Sequence, residues 1–192
     1  PGMYDIRISL TKDGDMLCRA DTQIRIFDAV LPKQKIMHTE WFYPDCLADY
    51  YQVPVFSEEH WKIIENFLHE YVKRGGNMIL TPLFTPALDV AVGKERTTTQ
   101  LVDVKVKSGQ YQFGFERLKR WVDLCRRCGI RYFEMSHLFS QWGAMYAPKI
   151  VADIDGREEK IFGWHTPAVG QYTEFLHAFL PELKEKLKEW GI

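Results

Sequence analysis

The stretch "CRRCGIRYFEM", Cys125 to Met135, decides the fold. A helical pattern with Leu118, Val122 and Cys125 on one face runs into it and stops at Gly129. An apolar strand begins at once with Ile130. A glycine stop followed directly by a strand is the short helix-to-strand connection of a βαβ unit. The same hand-over occurs upstream. "SEEHWKIIENFLHEYVKRGGN" has Ser57 as a helix cap, Glu58 and Glu59 in the first turn, and Gly75-Gly76 as the stop. "NMILTPLF" then reads as a strand.

Working outward, the strand before the first helix is "KIMHTEW", and a third helix is "YTEFLHAFLPELKEKLKEWG", which Pro181 should kink or split. The pattern predicts strands near 36–41, 78–82 and 130–135, parallel and adjacent in that order. It predicts helices near 57–74, 115–128 and 171–190 on one outer face. "LVDVKVKSGQYQF" and "IVADIDGREEKIF" read as hairpins, the second around Asp155-Gly156.

The loops leading from strand to helix are long, about 15, about 30 and about 33 residues against a usual handful. Elaborated loops on the strand C-terminal side alone point to an α/β fold of barrel type, here the first three units of a (β/α)8 barrel. A doubly wound open sheet is the alternative, but no glycine-rich phosphate fingerprint follows any strand. The closing "KEWGI" repeats the hand-over, so a fourth strand is expected to begin at Ile192. Before Pro32, "YDIRISL" and "TQIRIFDAVL" alternate in period two around "KDGD", giving a short antiparallel segment over 1–32 ahead of the α/β region over 33–192.

Composition narrows the partners. With 46% hydrophobic and 27% charged residues and a net charge of −1, the chain has no basic footprint for nucleic acid and no membrane-spanning run. The four cysteines read as ordinary thiols, since "CRRC" has no second pair at matching spacing. His38, Glu40, Glu134 and His137 are acceptable metal ligands, yet no HxH or HExxH spacing supports a site, so neither metal nor cofactor is expected.

The loops and strand ends hold a different inventory: His38, Glu40, Trp41, Asp45 and Tyr50 after the first strand, Asp89 after the second, and Glu134, His137, Gln141, Trp142 and Trp164 around and after the third. Carboxylates, amides and imidazoles can hold sugar hydroxyls, and flat rings can stack on sugar C–H faces. These residues are the candidate carbohydrate-binding set. Each has a plainer reading. The tryptophans can be core, Glu40 and Glu134 can pair with an interior arginine or lysine, and Asp89 and Arg96 can pin the second loop by an ion pair.

Three long strings, "HTEWFYPDCLADYYQVPVFSEEHW", "MILTPLFTPALDVAVGKERTTTQLV" and "YFEMSHLFSQWGAMYAPKIVADIDGREEKIFGW", resemble the glycoside hydrolase family 123 catalytic region and related bacterial domains. The resemblance runs from about Leu31 onward. It implies a β-sandwich followed by a (β/α)8 barrel, the strands before Pro32 being the end of the sandwich. It also implies retaining hydrolysis of β-linked N-acetylgalactosamine, in which the substrate's acetamido oxygen attacks the anomeric carbon. An adjacent Asp-Glu pair at the fourth barrel strand then assists, Asp orienting the acetamido group and Glu acting as acid and base. No Asp-Glu dipeptide occurs in this sequence. No catalytic residue is therefore assigned, and the chain is expected to need the remaining half of the barrel for activity. A non-catalytic carbohydrate-binding or scaffold domain of the same fold is the other reading.

Overall fold

A computed structural model describes residues 1–32, 35–91, 93–141 and 143–192. The chain forms two compact units, Pro1–Lys35 and Ile36–Ile192. In the first, β1 (Gly2–Lys12) and β2 (Asp15–Ile26) pair antiparallel, with a bulge between Leu10 and Thr11. Cross-strand partners share a face, so Tyr4, Ile8 and Leu10 line up with Ile24, Ala20 and Cys18. The opposite face is polar. Gln23 donates to Asp5 (2.8 Å) and Arg7 to Asp21 (2.9 Å). The apolar face stays exposed at Tyr4, Ile8, Leu10 and Ile24.

The second unit is built on three parallel strands, β3 (Thr39–Glu40), β4 (Met78–Thr81) and β7 (Tyr132–Met135), adjacent in that order. This is the strand arrangement read from the sequence. Two residues lock the N-terminal end of the sheet. The Asn77 side chain accepts from the His38 amide (2.8 Å) and donates to the Ile36 carbonyl (2.9 Å), while its own carbonyl receives Arg131 and Tyr132. The Tyr71 hydroxyl donates to the Met78 carbonyl (2.7 Å) and accepts from the Glu40 amide (2.9 Å), tying β3 to β4. Its ring lies where a Cβ at position 76 would be, so Gly76 is required there.

Helices α2 (Glu58–Lys73), α3 (Glu116–Cys128) and α4 (Gln171–Glu189) match the three expected helices closely. Trp61, Ile64 and Leu68 of α2 meet Leu118, Trp121 and Cys125 of α3 in one core with Phe175 and Phe179 of α4. Gly129, at φ 104°, closes α3 in the left-handed conformation that a glycine takes without strain. Pro181 does not split α4, which runs unbroken from Gln171 to Glu189. Pro181 is on the exposed side, and buried Phe179 and Leu183 anchor the helix on either side of it. Among the described residues no helix is long and apolar enough to cross a membrane.

The two predicted hairpins, β5 (Asp103–Lys107) with β6 (Gln110–Gly114) and β8 (Ile150–Ile154) with β9 (Arg157–Phe162), join into one four-stranded sheet through a parallel β5–β8 pairing. Gln100 makes that junction. Its amide donates to the carbonyls of Val102 and Val151 (both 2.9 Å) and accepts from the Val151 amide (3.0 Å), acting as a piece of backbone between the hairpins.

The first long loop is not wholly irregular but contains a short helix, α1 (Pro44–Tyr51), with proline in its first turn and Gln52 closing it at φ 55°. His60 fastens it to α2. Fully buried, its ring accepts the Phe56 amide at Nδ1 (2.8 Å), so Nε2 carries the proton and donates to the Pro44 carbonyl (2.9 Å). Burial lowers the His60 pKa, the Pro44 contact and the Asp45 charge partly offsetting this. Protonating Nδ1 would set two donors against each other. The lowered folded pKa makes this contribution fully present above the unfolded value of about 6.5 and lost as pH falls below it, toward the folded pKa. The melting temperature should therefore drop as pH is taken from 7.5 to 5.5. His60→Asn should melt lower at pH 7.5 with a flatter slope over that window, which thermal melts at several pH values will read.

Candidate functional site

Parallel strands aim their C-terminal ends at one mouth, so residues just past them meet although far apart in sequence. Trp41 follows β3, Glu134 lies in β7, and His137 comes two residues after it. The Trp41 indole donates to Glu134 Oε1 (3.2 Å), and the His137 ring stands edge-on to Trp41 with centroids 5.3 Å apart. Trp41 remains 43% exposed and His137 is exposed, so both offer ring surface to solvent. Glu134 Oε2 and Ser136 Oγ are buried without a hydrogen-bond partner among the described residues. Two residues apart on one extended segment, they share a face. A buried carboxylate oxygen without a donor is costly, and a ligand hydroxyl would relieve it. Among the described residues Glu134 pairs with no arginine or lysine; its contact is the tryptophan. Glu40 is exposed, and His38 Nε2 lies 3.7 Å from its carboxylate, a loose pair when the imidazole is protonated.

A second cluster stands in the loops. Asp45, in the first turn of α1, is buried and forms an ion pair with Arg96 at 2.9 Å, the side chains 3% and 11% exposed. Arg96 also donates to the carbonyls of Leu88 (3.1 Å) and Asp89 (3.3 Å), and its guanidinium lies 3.7 Å above the Tyr43 ring. The Tyr43 hydroxyl donates to Asp89 (2.9 Å); burial and then that carboxylate push its pKa well up. Arg96 thus pins the second loop as expected, with one correction. Its carboxylate partner is Asp45, and the Asp89 side chain serves Tyr43 instead. Asp45 Oδ2 takes this ion pair and so supports the loop, while Oδ1 is buried without a hydrogen-bond partner among the described residues.

The other expected site residues are scattered. Gln141 reaches the Val90 carbonyl (3.4 Å), linking the third loop to the second. Tyr50 is exposed on α1, edge-on to Tyr51 at 5.0 Å. Trp164 is 8% exposed and packs on Tyr146 at 6.0 Å, so it offers little ring surface to solvent. Trp142 lies outside the described residues. The sequence places Tyr43 and Arg96 in these loops and offers Arg96 as a loop pin; that the two stack on each other shows only through space.

A cleft of about 880 Å³ lies elsewhere, between the start of α3 and the four-stranded sheet, lined by Asp103, Lys105, Glu116, Arg117 and Asp153 among others. It shares no residue with the strand-end cluster. Arg117 and Asp103 already pair across it at 2.9 Å. The unpaired Glu134 oxygen and the exposed Trp41 and His137 rings stand at the strand ends, apart from this cleft.

Comparison with known proteins assigns the class. The catalytic-domain model of glycoside hydrolase 123 matches residues 41–192, most of the chain. The chain belongs to this glycoside hydrolase family. A family 123 glycoside hydrolase from Clostridium perfringens, solved in work on glycolipid glycan hydrolysis, has a similar fold, with a TM-score of 0.71 at 20% identity. The match covers 100% of this chain and 34% of that one, so the chain spans about a third of its structural relative. No curated protein matches.

Proposed function

We propose that this chain supplies one wall of the sugar site of a glycoside hydrolase acting on β-linked N-acetylhexosamine, N-acetylgalactosamine foremost. The observation that carries the reading is the meeting of Trp41, Glu134 and His137 at the ends of β3 and β7, the parallel strands on either side of β4. Trp41 offers a stacking face, Glu134 accepts a sugar hydroxyl at its unpaired oxygen, and His137 borders the same space. His38 and Glu40 extend the wall along β3, while Asp89 and Gln141 shape the loops above it. In this proposal the strands and helices are the first three units of a (β/α)8 barrel. The amphipathic hairpin, the segment 1–32, is the end of a preceding β-sandwich that covers its apolar face.

Hydrolysis would follow the substrate-assisted route. The acetamido oxygen attacks the anomeric carbon, the glycosidic bond breaks as the leaving oxygen takes a proton from an acid, and water opens the oxazoline-type intermediate. The Asp-Glu pair that orients the acetamido group and moves the proton is absent from these 192 residues. We place it on the following barrel strand of a longer protein.

The expected result is a chain that binds the sugar without turning it over. Titration of N-acetylgalactosamine into 15N-labelled chain should shift the Trp41 indole N–H signal, while an aryl β-N-acetylgalactosaminide stays intact. Turnover by this chain would overturn the placement of the acid–base pair. An unmoved indole signal at saturating sugar would overturn the wall.

A further inference from the structure

We propose that Glu65, His69 and Cys128 form a binding site for a divalent transition-metal ion, zinc by preference, that clamps α2 to α3. Glu65 and His69 are four residues apart on α2 and so project from one face of it. Cys128 is the last residue of α3. One ligand atom from each lies within 4.8 Å of the other two, and Cys128 Sγ is 3.9 Å from His69 Nε2. In a tetrahedral zinc site with bonds of about 2.3 Å to sulfur and about 2.0 Å to nitrogen, ligand atoms stand roughly 3.5 Å apart. The helices therefore already hold the three atoms close to coordinating distance, and small side-chain rotations suffice.

The donor set suits the ion. Thiolate, imidazole and carboxylate together select a borderline-soft cation over calcium or magnesium. Cys128 is buried and His69 exposed, so the ion would be shielded on one side and leave a fourth position for water on the other. The competing contact of Glu65 is weak. Arg127 lies 3.7 Å from Glu65, and both side chains are substantially exposed, so solvent screens the pair and the arginine can swing away. The end of α3 adds the partial negative charge of a helix C-terminus. Cys125, three residues earlier, is fully buried in the core and stays out of the group. "CRRC" thus divides into one packing thiol and one ligand.

The location defines the role. Cys128 precedes β7, so the site lies toward the N-terminal ends of the parallel strands, away from Trp41 and Glu134. In barrel folds that end carries stability and the other carries chemistry. The ion would tie α2 to α3 at that end, away from the strand-end cluster.

The test uses the reduced chain with Cys18→Ser and Cys46→Ser, which removes the two exposed thiols. Cobalt(II) is the optical probe. A 1:1 complex with a sulfur-to-cobalt charge-transfer band and four-coordinate d–d bands is expected, displaced by zinc, and zinc should raise the melting temperature. Cys128→Ser should abolish the sulfur band. His69→Ala and Glu65→Gln, at positions that reach solvent and leave the core intact, should each weaken zinc binding at least tenfold. Absence of a 1:1 complex overturns the proposal. So does a sulfur band that survives Cys128→Ser, or zinc affinity unchanged by both His69→Ala and Glu65→Gln.

Discussion

Arg96→Ala should destabilise the Ile36–Ile192 unit by about 3–5 kcal/mol, the cost of leaving one member of a buried ion pair without its partner. Asp45, whose side chain is 3% exposed, would remain in α1 with its carboxylate stripped of its cation. The loss is compounded by the Leu88 and Asp89 carbonyls, which give up their arginine donor, and by Tyr43, which loses the cation above its ring. A unit of this size should melt roughly 10 °C lower, at about 2–4 °C per kcal/mol. Removing both charges with Arg96→Met and Asp45→Asn should recover part of the loss, because the isolated buried charge is then gone. Chemical denaturation of the unaltered chain, Arg96→Met, Asp45→Asn and the double variant completes the cycle. A loss below about 1 kcal/mol for Arg96→Ala would mean that solvent screens the pair as it screens surface ones.

Glu134→Gln should lower kcat/KM of the longer enzyme on an aryl β-N-acetylgalactosaminide by roughly ten- to a hundredfold, since a hydrogen bond to a charged group is worth about 1.5–3 kcal/mol. The amide oxygen can still accept the Trp41 indole, so the fold should be kept. Trp41→Ala should lower it as well, and its partial exposure keeps the stability cost below the 3–5 kcal/mol expected for a core tryptophan. Trp121→Ala, at a fully buried position, provides that contrast. Turnover and melting temperature measured together separate the cases. Full turnover in both Glu134→Gln and Trp41→Ala would show the strand-end cluster to be packing.

The alternation of strands and helices, their near-boundaries and the parallel order β3–β4–β7 were legible in the sequence, because each rests on local signals. Apolar residues recur at helical spacing in α2 and α3, Ser57 caps one helix, and Gly75-Gly76 and Gly129 end two. Short connections after those glycines leave parallel pairing as the easiest packing. The long loops likewise marked where polar and aromatic residues would gather, and Trp41, Glu134 and His137 do meet there.

What the sequence left open was which distant residues become partners. Asp45 and Arg96 are separated by 51 positions, and either Asp45 or Asp89 satisfies the chemistry; only the placement of α1 against the second loop chooses Asp45. Eight residues with a proline start make too weak a signal for α1 on their own, and tertiary contacts through His60 and Arg96 hold it. Gln100 is an ordinary polar residue until two hairpins close on it from either side. Glu65 and His69 are one helix turn apart in sequence, but Cys128 joins them only because α2 and α3 pack. Secondary structure follows from neighbours along the chain, whereas ion pairs, sheet junctions and ligand sets follow from distances across space, and those arise only when the core closes.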